Sequence, residues 1–476
     1  MTKGIALLFL VVLSAWFTSA NATNATVTNV SFTGSPTDPT SPNLIVYLTV
    51  RWDNAWNNAK NKDGVWLFFK MNQEGDTRTQ RHAPVKKTGY SLVHNYVSNS
   101  VDPTFFVPDH AAGILVFPSA KYRGTIQWRL KIELDLQQMK SLDFANIVFG
   151  SAHAAEMVYI PEGPFYVGDS DSFERDKNSA IHDFNSKEPV LIGSEKAITI
   201  GKNTGELYYD NKEIANYRGD MQGTIPDVFP KGFKAFWIMK YELTQGQYAA
   251  FLNSISNTPT QTRANFGGKA YYDERGTISF DDGQYKAGSP DRPANYISWD
   301  DGCAFADWAG LRPFTELEYE KAARGTKKPV AADFPWGNSS RDKVSRYYND
   351  VGDLVMEKGF DEKDLNDTNL EFFGASPYWV MDLSGSVWER IVSIGSEKGR
   401  SFKATHGDGT LGPYGVASNE DWPSNKDGGL GYRGSGYYGL GMRGDPFHRV
   451  AARPFAAWGD GPRSVGYGFR AALSAQ

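Results

Sequence analysis

Between Asp427 and Leu473, glycine, arginine and aromatic residues alternate with neither the period of a helix nor that of a strand. The tract reads Gly429-Leu-Gly-Tyr-Arg-Gly434, then Gly439-Leu-Gly-Met-Arg-Gly444, then Val465-Gly-Tyr-Gly-Phe-Arg470. Glycine at this density lets the backbone turn repeatedly, so the tract needs a scaffold that the rest of the chain must supply. Both hexads fit Gly-x-Gly-x-x-Gly, yet neither lies between an expected strand and an expected helix, which argues against nucleotide binding. They read instead as a small repeat that turns Tyr432, Arg433, Met442 and Arg443 outward.

A scaffold is affordable. The chain has 476 residues, 40% of them hydrophobic and 14% aromatic, enough for two or three domains with a sizeable core. Fifty Lys+Arg against 55 Asp+Glu give a net charge of -5, so no basic field points to nucleic acid. Residues 1–22 combine Lys3, an apolar run from Ile5 to Phe17 and Ala20-Asn-Ala22, the pattern of a secretory signal and too short a run to span a bilayer. The expectation is an exported protein with no membrane span. Its one cysteine, Cys303, can close no intrachain disulfide.

Residues 23–150 carry short β-branched and aromatic runs, Leu44 to Trp52, Gly64 to Lys70, Gly113 to Phe117 and Thr125 to Leu134, and predict a β-sandwich-like domain. Asp53 to Asp63 reads as a loop. A second domain, 156–476, begins with two strands between Glu156 and Gly168 and holds a loop-rich insertion at 169–231, with one expected hairpin joining Ala197–Gly201 to Gly205–Tyr209. Three helices are then well punctuated. Thr244 caps the first; Ser298 precedes the second, which carries Cys303 as a small buried side chain; Thr315 and Glu318 form a capping box for the third, which Gly325 ends.

Met157 to Gly168, Tyr241-Glu-Leu-Thr, Trp299 to Gly325, Phe334-Pro-Trp-Gly-Asn338, Asp382-Leu-Ser-Gly-Ser-Val-Trp-Glu389 and Gly468-Phe-Arg470 occur in the same order as in the formylglycine-generating enzyme, or sulfatase-modifying factor, family. The region from about residue 156 to the end thus resembles that family. The resemblance implies an α+β, C-type-lectin-like fold with little regular structure. It also implies calcium, held in one site by the segment containing Ser386 and Glu389 and in a second beginning near Asn349 and Asp350, with a last ligand among Asp361, Asp364 and Asp367; oxygen donors of this kind suit calcium. Ser386 stands where the family has asparagine, and Arg390 where it has a second tryptophan.

Family enzymes oxidise a substrate cysteine to formylglycine with two cysteines of the C-terminal tract, thiolates that suit copper(I). No residue from Asp427 to Gln476 is cysteine, so copper loses its ligands and no catalytic residue is assigned. His406-Gly-Asp-Gly409 and Asp445-Pro-Phe-His448 could place a base beside an acid. What the tract retains suits binding: Arg433 and Arg443 for anions, Tyr437, Tyr438 and Trp458 for stacking, Asp445 and His448 for hydrogen bonds. The sequence therefore reads as an exported binding or assembly protein for a peptide, glycan or protein partner, the alternative being an oxidase or other enzyme of this family with altered chemistry.

Overall fold

The structure is a computed structural model. It describes residues 25–475 apart from 36, 39–42, 74–75, 140–146, 211–218, 256, 349–353, 358–360, 426–427, 437–445 and 459–462. The expected signal at 1–22 lies outside the described residues.

An eight-stranded antiparallel sheet organises the molecule. Its path runs Arg312–Pro313, Ala471–Ser474, Phe236–Met239, Ile147–Ile160, Asp63–Gln73, Ile114–Pro118 and Pro103–Phe106, with Asp76–Ala83 pairing on Asp63–Gln73. Strand Ile147–Ile160 straddles the expected domain boundary. It pairs with Asp63–Gln73 on one side and with Phe236–Met239 on the other, so one sheet serves both halves of the chain.

Strand Asp63–Gln73 carries an unbroken apolar run from Val65 to Phe69 because both of its faces are covered. Side chains alternate across a strand, and here Val65, Leu67, Phe69 and Met71 pack into a core shared with Leu48, Val50, Trp52, Ile126 and Trp128. Those partners come from a second sheet, ordered Thr26–Ser35, Asn43–Asn57, Tyr122–Glu133, Ser91–Asn95. Trp66 and Phe68 point the other way, into a core with Phe251, Phe305 and Trp308 of the helices. Trp66 Nε1 donates to Ala309 O at 2.8 Å and Lys70 Nζ to Trp308 O at 2.6 Å, which ties the strand to the end of a helix whose last carbonyls lack intrahelical partners.

The three expected helices form at Gln245–Ser254, Trp299–Trp308 and Glu316–Arg324. Each has a complete capping box, Thr244 with Gln247, Ser298 with Asp301 and Thr315 with Glu318. Two local expectations are corrected. Strand Asn43–Asn57 runs on into the stretch read as a loop, through a register shift between Trp52 and Ala55 that buries Trp56. The 197–209 stretch folds back without a regular antiparallel hairpin: Ile200 meets Leu207 in an isolated parallel bridge, and Ile198–Ile200 takes Gly223–Ile225 as its strand partner. Among the described residues no helix is long and apolar enough to cross a membrane.

Candidate functional site

The first glycine hexad is not a presented turn. Leu430–Arg433 is a fully buried strand, antiparallel to Trp388–Val392 with Glu389 opposite Arg433, and Tyr467–Gly468 pairs on the far edge. Arg433 is therefore directed inward, which corrects the expectation of an exposed guanidinium. Its Nη2 donates to Glu316 at 3.1 Å and to Glu320 at 2.8 Å, and its Nη1 to Val450 O at 3.0 Å. Arg453 Nε reaches Glu316 at 2.8 Å, and Arg324 joins Glu320 at 3.1 Å to Asp333 at 2.9 Å. Glu316 and Glu320 are one helical turn apart and so share a face that receives all three arginines. Burial pushes the Glu316 carboxyl up, but Arg453 and Arg433 outweigh it and hold the group down at about 2.

Beside this network the segment Asp382 to Glu389 meets the tract. Arg470 Nε and Nη2 both donate to Glu389 Oε1, at 2.9 and 2.6 Å. The other oxygen of Glu389 and the Ser386 hydroxyl have no hydrogen-bond partner among the described residues. Burial, with Asp382 nearby, pushes the neighbouring Glu242 carboxyl well above its ordinary range. Among the described residues no three acidic, imidazole or thiol side chains come together as metal donors. Glu242 Oε2 is likewise without a hydrogen-bond partner among the described residues, so three buried oxygens of the type that suits calcium remain there, while Arg470 already holds the other oxygen of Glu389. Of the second expected site, Asn349 and Asp350 lie outside the described residues. Asp367 is engaged by Lys60 Nζ at 2.7 Å and by Trp379 Nε1 at 3.2 Å, and Asp361 caps the short turn Glu362–Asp364.

His448 is buried, and its carbonyl accepts from Ser384 Oγ at 2.9 Å. His406 is placed apart from it in contact terms: its Nε2 accepts from Ser474 N–H at 2.9 Å, and its ring stands 4.4 Å from that of His110. Tyr437, Tyr438, Arg443 and Asp445 lie outside the described residues. Cys303 is buried on its helix, where burial pushes the thiol well above its ordinary value.

What the tract does present is a set of rings. Trp458 lies 5.1 Å from Phe455, 5.4 Å from Tyr432 and 6.0 Å from Tyr467, and Trp388 backs the group at 5.5 Å from Phe455. Trp388 and Tyr432 are buried, whereas Phe455, Trp458 and Tyr467 are partly exposed. The rings thus divide into an inner pair that fills the core and an outer three that face solvent. Beneath them Arg390 lies 4.9 Å from the Tyr432 ring and 5.5 Å from that of Tyr467 and donates to Ile297 O at 3.0 Å. Tyr467 and Trp458 were legible as aromatic surface in the sequence; Phe455 was not, because its neighbours Pro454, Ala456 and Ala457 give no periodicity.

Residues 194–433 match the model of the sulfatase-modifying factor enzyme 1-like domain. The chain is similar to the formylglycine-generating enzyme of Bos taurus, 31% identical over 101 residues, which is 21% of this chain and 26% of that one. It is also similar to the inactive C-alpha-formylglycine-generating enzyme 2 of Mus musculus, 33% identical over 118 residues, covering 24% and 36%. With the uncharacterised protein YfmG of Bacillus subtilis the identity is 25% over 343 residues, covering 63% of this chain and 64% of the relative. The first two alignments thus span about a quarter and about a third of those relatives' length.

Proposed function

The chain belongs to the sulfatase-modifying factor family, and from that premise we propose that it is an exported binding or assembly protein without formylglycine-generating activity. One observation carries this: the only thiol in the chain, Cys303, is enclosed on a helix and pushed toward its protonated form, so the chain offers no pair of thiolates to hold copper. A family member named inactive among the relatives is consistent with a scaffold kept after its chemistry is lost. On this view the α+β domain has the C-type-lectin-like arrangement, and the facing sheets of the N-terminal half act as a β-sandwich-like module. The partly exposed rings of Phe455, Trp458 and Tyr467, with Tyr437, Tyr438, Arg443, Asp445 and His448 nearby in sequence, hold a peptide, glycan or protein partner. Export is supported by the composition of residues 1–22.

The test is direct. Purified protein is incubated with copper and a peptide bearing the sulfatase cysteine motif, and aldehyde formation is followed by mass spectrometry. No aldehyde is expected; its appearance would establish the oxidase alternative instead. Copper has no place on this reading, whereas calcium at the Glu389 or Asn349 region belongs to it: millimolar calcium should raise the melting temperature by linkage, and an unchanged melting temperature would remove the ion.

A further inference from the structure

The shared sheet creates a second concavity, which only Ala475 of its lining brings near the C-terminal tract in sequence. It has a volume of about 580 Å³ and is walled by Phe105, Phe106 and Phe117 from the N-terminal half and by Tyr159 and Trp237 from the other half. That size is typical of small-molecule sites. The rings do not form a flat platform: Trp237 is tilted 40° from Phe117 and 57° from Tyr159, so they make a cup. Lys62 enters this cup. Its Nζ stands 4.3 Å from the Phe117 centroid, 5.0 Å from Tyr159 and 6.0 Å from Trp237.

Other interior cations find strong partners, either acids or, as for Lys231 and Lys321, backbone carbonyls. Lys240 pairs with Glu156 at 2.8 Å, and Arg312 with Glu318 at 2.6 Å. Lys62 Nζ has neither an ion pair nor a hydrogen bond among the described residues. Burial lowers its pKa, and Glu162, the carboxylate of the lining, forms no ion pair with it. A half-buried ammonium lodged against ring faces, with Lys234 and Glu162 as the other charged groups of the lining, keeps most of its hydrogen-bonding capacity unspent. The open side of the cup is where an acceptor would have to enter.

We propose that this groove is a binding site for a small carboxylate carried on a flat apolar body, an aromatic acid, with the rings of the cup packing its body and Lys62 pairing with its anion. Charge complementarity selects this occupant. A cationic ligand would be repelled by Lys62 and by Lys234, which also lines the groove, and a neutral one would leave the ammonium without an acceptor. The site draws its walls from both halves of the chain, and none of the named residues belongs to the C-terminal tract, so it stands or falls independently of the function proposed above.

Phenylacetate, 2-phenylethanol and phenethylamine, equal in ring and similar in size, discriminate the possibilities when titrated into the full chain by calorimetry. Saturable phenylacetate binding is expected at millimolar concentration, with 2-phenylethanol at least about tenfold weaker. Lys62→Met should lose about tenfold or more in phenylacetate affinity, and Lys62→Arg should retain most of it. Binding of phenethylamine as tightly as phenylacetate would overturn the assignment, since the rings and not the ammonium would then be the recognition element. Absence of phenylacetate binding would overturn it too, as would full affinity in Lys62→Met. Should Lys62→Met fail to fold, the ligand series on the unaltered protein and the Lys62→Arg variant still decide.

Discussion

Two buried regions of the molecule handle positive charge in opposite ways. Under helix Glu316–Arg324 the guanidinium groups of Arg433, Arg453 and Arg324 are matched by Glu316, Glu320 and Asp333. At the seam between the two halves of the chain, Lys70 is equally enclosed, but its Nζ donates to Trp308 O at 2.6 Å, to Gly409 O at 2.9 Å and to His82 Nδ1 at 3.1 Å. His110, His153 and His406 complete that surrounding, with Asp307 and Asp408 near enough to help only electrostatically. The first arrangement fixes charge through strong pairing. The second leaves it negotiable, because every hydrogen-bond partner of Lys70 is neutral and one of them, His82, can take up a proton itself.

The largest effect should come from breaking the paired region. Glu316→Gln keeps the size of the side chain and removes the charge that faces Arg433 and Arg453, leaving both guanidinium groups under-compensated where neither is exposed. Removing one partner from a buried ion pair typically costs about 3–5 kcal/mol, and this one serves two arginines. Urea denaturation should show a loss of at least that order. A loss below about 1 kcal/mol would mean that the network is not what holds the tract to the helix.

A smaller but more distinctive effect belongs to the seam. Burial lowers Lys70 to about 7 from 10.5, although Asp307 and Asp408 oppose it. The folded state therefore binds fewer protons than the unfolded one between those values. Stability must rise with pH from about 7 to 10.5, and the penalty for the buried ammonium is present in full below 7. His110 is lowered by burial to about 4 and His153 to about 3, so each adds a loss of stability as pH falls from 6.5 through those values. Asp307 works in the opposite direction, raised by burial to about 6, and favours the folded state as pH falls from 6 to 3.8. Carboxyls elsewhere oppose the imidazoles too, Glu174 raised by burial to about 7 and Asp169 to about 6, so the climb in urea midpoints to be expected from this seam is the one Lys70 adds between pH 7 and pH 10. In Lys70→Met the climb above pH 7 should flatten while the profile below 6.5 persists. An unchanged profile would place the pH sensitivity elsewhere.

The contrast also explains what could be read from the sequence. The paired helix was legible because its signals are local: Thr315 and Glu318 are three residues apart, and Gly325 ends the run with a φ of 75°. The destination of Arg433 was not, since Glu316 lies 117 residues away and nothing in Gly-Tyr-Arg-Gly distinguishes an inward arginine from an outward one. The N-terminal strands were visible as β-branched runs, but the sheet that joins them to Phe236–Met239 depends on Ile147–Ile160 crossing a boundary that the pattern alone suggested as a break. The seam histidines come from positions 82, 110, 153 and 406 and share no spacing. Topology, and no motif, brings them together.

The smallest effect should be found where the same two halves meet in solvent. Lys60 Nζ, from the N-terminal half, donates to Asp367 at 2.7 Å and to Pro377 O at 3.0 Å, and both charged side chains are substantially exposed, at 37% and 57%. The pair has the geometry of a junction clamp, but water competes for both partners and salt screens them. Lys60→Ala should therefore shift stability by no more than about 0.5–1 kcal/mol, and by less still at high salt. A loss well above that would mean that the exposed pair, and not the buried seam, holds the halves together. A near-neutral result would instead assign the junction to the continuous sheet and to the enclosed donors Trp66 and Lys70, whose carbonyl partners have no water to fall back on.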